Sequence, residues 1–501
     1  MSIRSSNMAL KFKSLVGDFM TYAINGIAIR VIGILALPII TRVFTVQEYG
    51  AVDTIQSMIA LLPSIIGLGY DIAIMKQLIT EGKPEEQRNA TFTLTVFLSL
   101  WGALIIGIGI IFSKQLSLLL FGTEEYSLSI VFALLSIYSA MFFGLAQQLL
   151  RVEFRLKAYT VLSSTQALAQ YGLIIIFIAF LHQGVLGYFI ACVIVNFLWS
   201  LIAVFCTRRF FRGHFESHVL VSLLKLGVPV MISSLAYWVI TSSDRILLTQ
   251  LSSLTQTGYY SMAINVVAVL TLFVTTFSKA WTPRAFQAYA DDEESYMPTT
   301  HAMHPHVAVL ITSVALFNII LAKPIILIFS TEAYLAAAPI VVPLAFAGVF
   351  QCLSQFSCMG IYFKDRTRDI AIASWAAAVF NVVANVVLIP FFGAIAAGVI
   401  TMTSYLFIYL FYHSRTCKYL NYKSSLMKPL SVALIGMVAG ILMSFFDIDN
   451  IVLDCFARLA ILGAFILVIV VLKLFEPKQL IDTVKSLKPA SGESEETSPS
   501  D

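Results

Sequence analysis

The chain has 501 residues, of which 59% are hydrophobic and 12% are charged. A soluble protein of this size cannot hide so much apolar surface, so the composition excludes one and reads as an all-α polytopic membrane protein. The formal net charge of +4 excludes little, because in such a chain the placement of the charges matters more than their sum.

Hydropathy predicts about fourteen membrane spans. They run roughly 16–41, 50–74, 89–113, 127–150, 157–181, 185–206, 221–243, 257–281, 305–329, 335–360, 370–391, 395–413, 430–446 and 451–474. The first apolar stretch carries no small-residue cleavage site and is expected to be retained rather than removed as a signal peptide. Arg30 stands in its middle, in VGDFMTYAINGIAIRVIGILALPIIT (16–41). A cation at that depth costs at least about 2.5–3.5 kcal/mol, so it faces a partner or a wet cavity. At about 100° per residue, Ala23, Gly26, Gly33 and Thr41 share its face, with Ile34 and Leu37 as bulkier members. Arg30 either pairs with a buried carboxylate and locks two helices, or forms an anion site in a cavity flanked by Gly26 and Gly33. The second reading is the expectation.

Further along, Asp18 and Asp71 lie near the inner ends of the first two spans, as interfacial residues or as ligands of a coupling cation. Asp244 and Arg245 close the seventh span near its outer end, as an ion pair at the membrane edge or as a gate contact. Asn265 in the eighth span, and Gln351 and Gln355 on one face of the tenth, suit helix–helix hydrogen bonds or sugar binding. His301, His304 and His306 have a spacing that can suit a metal, but no carboxylate or cysteine completes a site, so none is expected. Asp454 and Arg458, four apart in the last span, should neutralise each other. The six cysteines show no paired metal spacing and are expected to be packing residues. There is no Walker loop and no recognisable catalytic dyad. Neither an enzyme nor a cofactor is expected, nor a nucleic-acid partner.

Basic residues alternate between loops. Arg4, Lys11 and Lys13, then Lys76, Lys83 and Arg88, Arg151, Arg155 and Lys157, Arg208, Arg209 and Arg212, Lys364, Arg366 and Arg368, and Arg415, Lys418, Lys423 and Lys428 fall on one side. The other side holds only Arg42, Lys114, Arg245 and Lys323. This bias predicts that both termini are cytoplasmic. The segment 476–501 ends in a Ser/Glu-rich tail and is expected to be disordered.

The halves look duplicated. Tyr49–Gly50–Ala51 parallels Thr257–Gly258–Tyr259, EFRLKAYTVLSS from Glu153 parallels YFKDRTRDIAIAS from Tyr362, and the turn residue Gly184 parallels Gly393, at offsets of 208, 209 and 209 positions. His182–Gln183–Gly184 and Phe392–Gly393 read as tight turns between antiparallel helices. The expected organisation is a six-helix lobe over 1–212, a second over 213–415, two added helices over 416–475, and the tail. Two like-oriented repeats around a central cavity suit an alternating-access carrier.

The stretch NVVANVVLIPFFGAIAAGVIT (381–401), with Asn381, Asn385, Leu388–Ile389–Pro390, Gly393 and Ala396–Ala397–Gly398, resembles the eleventh-to-twelfth helix hairpin of bacterial polysaccharide flippases. Glu48–Tyr49–Gly50, and Asp244–Arg245 followed by TGYYSMA (257–263), resemble the same Wzx-type members of the multidrug/oligosaccharidyl-lipid/polysaccharide exporter superfamily. The resemblance covers about residues 10–415. It implies translocation of an undecaprenyl-diphosphate-linked glycan between leaflets of the bacterial inner membrane for surface polysaccharide such as lipopolysaccharide O-antigen. Its partners would be that glycan lipid, membrane lipid and other polysaccharide-assembly proteins. Arg30 fits the family's cationic cavity. The added helix pair resembles that of peptidoglycan-precursor flippases, but no full set of their cavity arginines is present. The rivals are a multidrug exporter of the same superfamily, whose organic cations would want carboxylates rather than Arg30, and a membrane polysaccharide polymerase or acyltransferase. The outer loops are all shorter than about 20 residues, which leaves little room for an active site of that last kind.

Overall fold

A computed structural model describes residues 25–474, apart from 27, 71–73, 75–83, 154, 423–424, 446–447 and 449–450. Asp18, Asp71 and the 476–501 tail therefore lie outside the described residues.

The described chain is helical. Twelve of its helices are long and apolar enough to cross a membrane. One of them, Thr367–Tyr419, is two helices joined at Gly393, whose φ of 56° breaks the run. Large apolar side chains remain bare along these helices, among them Leu104, Phe180 and Phe391. Bare apolar surface of this extent is what a lipid solvent accepts and water does not.

Local signals set the helix ends. Val46–Ile59 starts at a reciprocal cap, in which Thr45 Oγ1 accepts from the Glu48 backbone and Glu48 accepts from the Thr45 backbone. Leu68 and Gly69 turn left-handed after Leu62–Gly67. The predicted second span, 50–74, thus begins earlier and breaks sooner than hydropathy suggests, because neighbouring apolar residues say nothing about backbone turns. The predicted hairpin at His182–Gly184 is present, with φ of 52° and 55° at its two ends.

The chain forms two compact units. The first comprises 1–262, 326–335 and 381–397; the second comprises 263–325, 336–380 and 398–501. In the first, Ser127–Val152, Leu156–Ile175 and Gly184–Cys206 pack around Phe143, Ala146, Leu150, Leu162 and Ala203. In the second, Ala338–Ser357 is the axis, with 16 of its 20 residues buried. Met427–Phe445 lies against Glu293–Ile320 through Gly436 and Gly440, where an added methyl would stand 2.2 Å from Thr312 Cγ2 and 3.2 Å from Ile319 Cδ1. Small residues four apart let helices approach this closely.

Candidate functional site

The helix bearing Arg30 is held on both sides of the arginine. Asn25 is buried, donates to Ser163 Oγ (3.0 Å) and accepts from Ser164 Oγ (2.8 Å). Eight residues on, a methyl at Gly33 would meet the Tyr171 hydroxyl at 2.9 Å. The contacts advance together along both chains, so this helix and Leu156–Ile175 run in the same direction. Between these two fixed points Arg30 is exposed, and no described carboxylate pairs with it. Gly26 beside it is open, with nothing within 4 Å of an added methyl. The expected open flank is therefore half present: Gly26 is bare, and Gly33 is closed over by Tyr171.

Asp244 and Arg245 are adjacent in the chain, yet each is held by other residues. Asp244 is buried and accepts from Tyr260 Oη (2.5 Å) and Asn385 Nδ2 (2.8 Å). Asn385 also donates to Asn381 Oδ1 at 3.0 Å, and both asparagines are fully buried. Arg245 Nε stands 2.5 Å from Asp53 Oδ2, and its Nη1 donates to the Thr241 carbonyl at 2.8 Å. Asp53 takes a further bond from Ser261 Oγ. The helix runs on to Leu251, so the two charges lie inside it rather than at its edge. Successive residues on a helix point about 100° apart, which sends the carboxylate to one neighbour and the guanidinium to another. Asp53 was not singled out by the sequence reading. The signal that could have found it is its offset of 208 positions from Ser261, the offset at which the halves repeat.

The same offset recurs in backbone contacts of the first unit. A methyl at Gly50 would stand 2.3 Å from the Leu254 carbonyl oxygen, and one at Gly258 would stand 2.2 Å from the Val46 carbonyl oxygen. Gly184 faces Glu48 Oε1, and Gly393 faces Gln256 Oε1, which also accepts from the Ala394 backbone at 3.1 Å. Only glycine leaves room for such carbonyl approaches, and at Gly184 and Gly393 only glycine takes the positive φ without strain. Around these contacts Thr54 and Thr249 share a 2.7 Å hydroxyl bond, and Trp238 Nε1 donates to the Ser57 carbonyl at 2.9 Å.

In the second unit Gln351 and Gln355 are half-buried and Asn265 is exposed. Gln351 Nε2 lies 3.5 Å from Tyr405 Oη. The three histidines diverge. His304 Nε2 meets Tyr409 Oη at 2.9 Å, and His306 Nδ1 meets the Ala302 carbonyl at 2.9 Å. Helical spacing of three and five residues cannot bring all three rings to one point. No group of metal-ligating side chains occurs among the described residues. Arg458 Nε pairs with Asp454 Oδ2 at 2.9 Å, both buried, and Lys323 Nζ approaches the other carboxylate oxygen at 3.8 Å. The expected mutual neutralisation is present, with Lys323 as an unforeseen third member. Outside the spans, Lys364 Nζ donates to Glu293 Oε1 at 2.8 Å, and Tyr289 Oη donates to the same oxygen at 2.6 Å. The bond from Lys364, then that from Tyr289, holds Glu293 below the ordinary carboxylate range, and Glu293 in return holds the Lys364 ammonium above its ordinary range.

Long apolar helices with buried charge networks at their crossings define a polytopic membrane protein. Its fold is shared by solved membrane transporters of low sequence identity. It matches a lipid II flippase, MurJ, in an inward closed conformation, with a TM-score of 0.68 at 14% identity over 89% of this chain and 98% of that one. It also matches an inward-facing multidrug resistance MATE transporter, with a TM-score of 0.65 at 14% identity over 78% of this chain and 95% of that one. A Vibrio cholerae MATE transporter follows with a TM-score of 0.54 at 15% identity over 81% of this chain and 97% of the other. The family described as "Polysaccharide biosynthesis protein" matches residues 15–289. That is more than half of the chain, and the protein belongs to this family. An uncharacterized membrane protein of Methanocaldococcus jannaschii is 23% identical over 334 residues, 63% of this chain. The match spans 65% of that relative's length.

Proposed function

We propose that this protein is a flippase that carries an undecaprenyl-diphosphate-linked oligosaccharide across the bacterial inner membrane by alternating access. The observation that carries the reading is Arg30, an exposed cation in an apolar helix, clamped at Asn25 and Gly33 and paired with no described carboxylate. An unpaired arginine at that depth is costly against lipid and inexpensive against a wet cavity that admits an anion. Guanidinium geometry suits the paired oxygens of a diphosphate. The family's link to polysaccharide biosynthesis supports a glycan cargo, and the likeness to a lipid II flippase supports a lipid-linked one. Asn265, Gln351 and Gln355 are the side chains we assign to the sugars. Asp244 and Arg245, and Asp18 and Asp71 outside the described residues, are the gate or coupling candidates.

The two-repeat organisation, with lobes over 1–212 and 213–415, is supported by the reciprocal contacts of Gly50 with Leu254 and of Gly258 with Val46. Reciprocity of this kind is what a two-fold relation between halves produces. The helices over 416–475 stand outside the repeat, and both termini face the cytoplasm.

The test is Arg30→Ala in cells that depend on this protein for surface glycan. Export should fail while the variant accumulates in the membrane as the parent does. Arg30→Lys should keep part of the activity, because an ammonium still attracts phosphate without the bidentate fork. Undiminished export by the alanine variant would remove Arg30 from the mechanism and promote the multidrug-exporter reading of the same fold.

A further inference from the structure

A second basic site lies in the second unit, apart from Arg30. A cavity of about 410 Å³ opens between the start of Met427–Phe445, the end of Ile451–Val471 and the 301–306 turns of Glu293–Ile320. Its size falls in the range of small-molecule sites. Lys428, Lys473, His301 and His306 line it from these three segments, with the hydroxyl residue Ser425, and no carboxylate is among the described lining residues. The rest of its described wall is apolar, Ala302, Pro305, Met427 and Leu474, and a cavity whose only described charges are cationic attracts an anion.

Lys428 sits in the first turn of its helix, which carries no acidic residue there. The positive end of a helix dipole disfavours a cation and favours an anion. An anion in the cavity would be attracted by the lysine and by the helix end together, where the Met427 N–H donates to Ser425 Oγ (3.2 Å).

The surroundings say what kind of anion. Met427 is 76% exposed, Val471 68% and Leu472 55%, so bare apolar side chains stand beside the charged lining. These residues lie at the ends of two helices long enough to span a membrane. An anion site at a membrane edge, flanked by apolar surface, suits a phosphate carried on acyl chains.

We propose that this cavity binds the phosphate of an anionic phospholipid headgroup, with Lys428 and Lys473 as its main cationic contacts. The acyl chains would lie along Met427, Val471 and Leu472. The site is independent of the transported cargo, and its occupant would fasten the last two helices to the Glu293–Ile320 helix.

The test uses the full-length protein in detergent micelles, with binding followed by native mass spectrometry. Phosphatidylglycerol is titrated against phosphatidylcholine, with inorganic phosphate as a third arm. Phosphatidylglycerol should bind in preference to phosphatidylcholine, and inorganic phosphate should not compete at equal concentration. Lys428→Gln and Lys473→Gln should each weaken phosphatidylglycerol roughly five-fold. Lys428→Arg and Lys473→Arg should restore it, which separates lost charge from lost folding. Equal binding of the two lipids, or an unchanged preference in the double glutamine variant, overturns the site. Competition by inorganic phosphate at equal concentration overturns its assignment to lipid.

Discussion

Gly50 and Gly258 stand 208 positions apart, and each is seated against a backbone carbonyl four residues before the other, Gly50 on Leu254 and Gly258 on Val46. Neither carbonyl can move without moving its helix, so a side chain at either glycine must push the helices apart. Gly50→Ala and Gly258→Ala are each expected to destabilise by about 1–3 kcal/mol, the usual cost of overpacking. Gly26→Ala, where an added methyl meets nothing within 4 Å, should be near neutral. Thermal unfolding in detergent separates the three, and equal melting temperatures would show that the glycine seats carry no packing constraint.

The pairing of Arg245 with Asp53 predicts strong coupling between them. Asp53→Ala leaves a largely covered guanidinium with only the Thr241 carbonyl among its described bonds. Removing one partner of such a pair costs about 1–3 kcal/mol, and more for a charged group. The double variant Asp53→Ala, Arg245→Ala should lose less than the sum of the single losses by at least about 0.5 kcal/mol. Additive losses in that cycle would mean that the pair contributes nothing to stability.

Topology can be read directly. The basic bias places the 207–218 loop in the cytoplasm and the 114–126 loop outside. Ser127→Cys and Ser217→Cys, each in a background cleared of accessible native cysteines, should react on opposite sides with an impermeant thiol reagent. Labelling from one side for both would break the expected arrangement of spans.

A pH dependence follows from Glu293 and Lys364, which sit outside the spans. Glu293 is held below its ordinary value of 4.5 by Lys364. Its contribution to stability is therefore present at neutral pH and is lost as pH falls below about 4.5, through the lowered value. Lys364 is raised above its ordinary 10.5 by Glu293, so its contribution persists up to that pH and is lost only above it. Glu293→Gln should lower the melting temperature slightly at pH 7, and the difference should shrink as pH falls below 4.5. The effect is small because the pair is exposed. A difference that grows on acidification has the wrong sign for this pair.

Much of the architecture was legible in one dimension. Long apolar runs specify membrane helices, because each helix satisfies its own backbone hydrogen bonds in lipid. Gly184 and Gly393 marked the hairpins because positive φ is inexpensive only at glycine, and both have it. The offset near 208 was visible before any contact was known. It then reappeared in the seats of Gly50 and Gly258, and in Glu48 and Gln256 facing the two hairpin glycines.

Partner choice was not legible. Asp244 and Arg245 are neighbours in the chain, but the helix turns them toward Asn385 and Asp53, which reach them from distant segments. The three histidines shared a motif and no focus, for the same rotational reason. The cation of Arg30 and its depth in an apolar run belong to the sequence alone. That it stands uncovered between the Asn25 and Gly33 clamps was decided by the packing of a helix more than a hundred residues away. Hydropathy and backbone preference are properties of short stretches, and so the sequence determines them. Which polar groups meet depends on how rigid helices rotate and register against one another, and only the tertiary structure settles that.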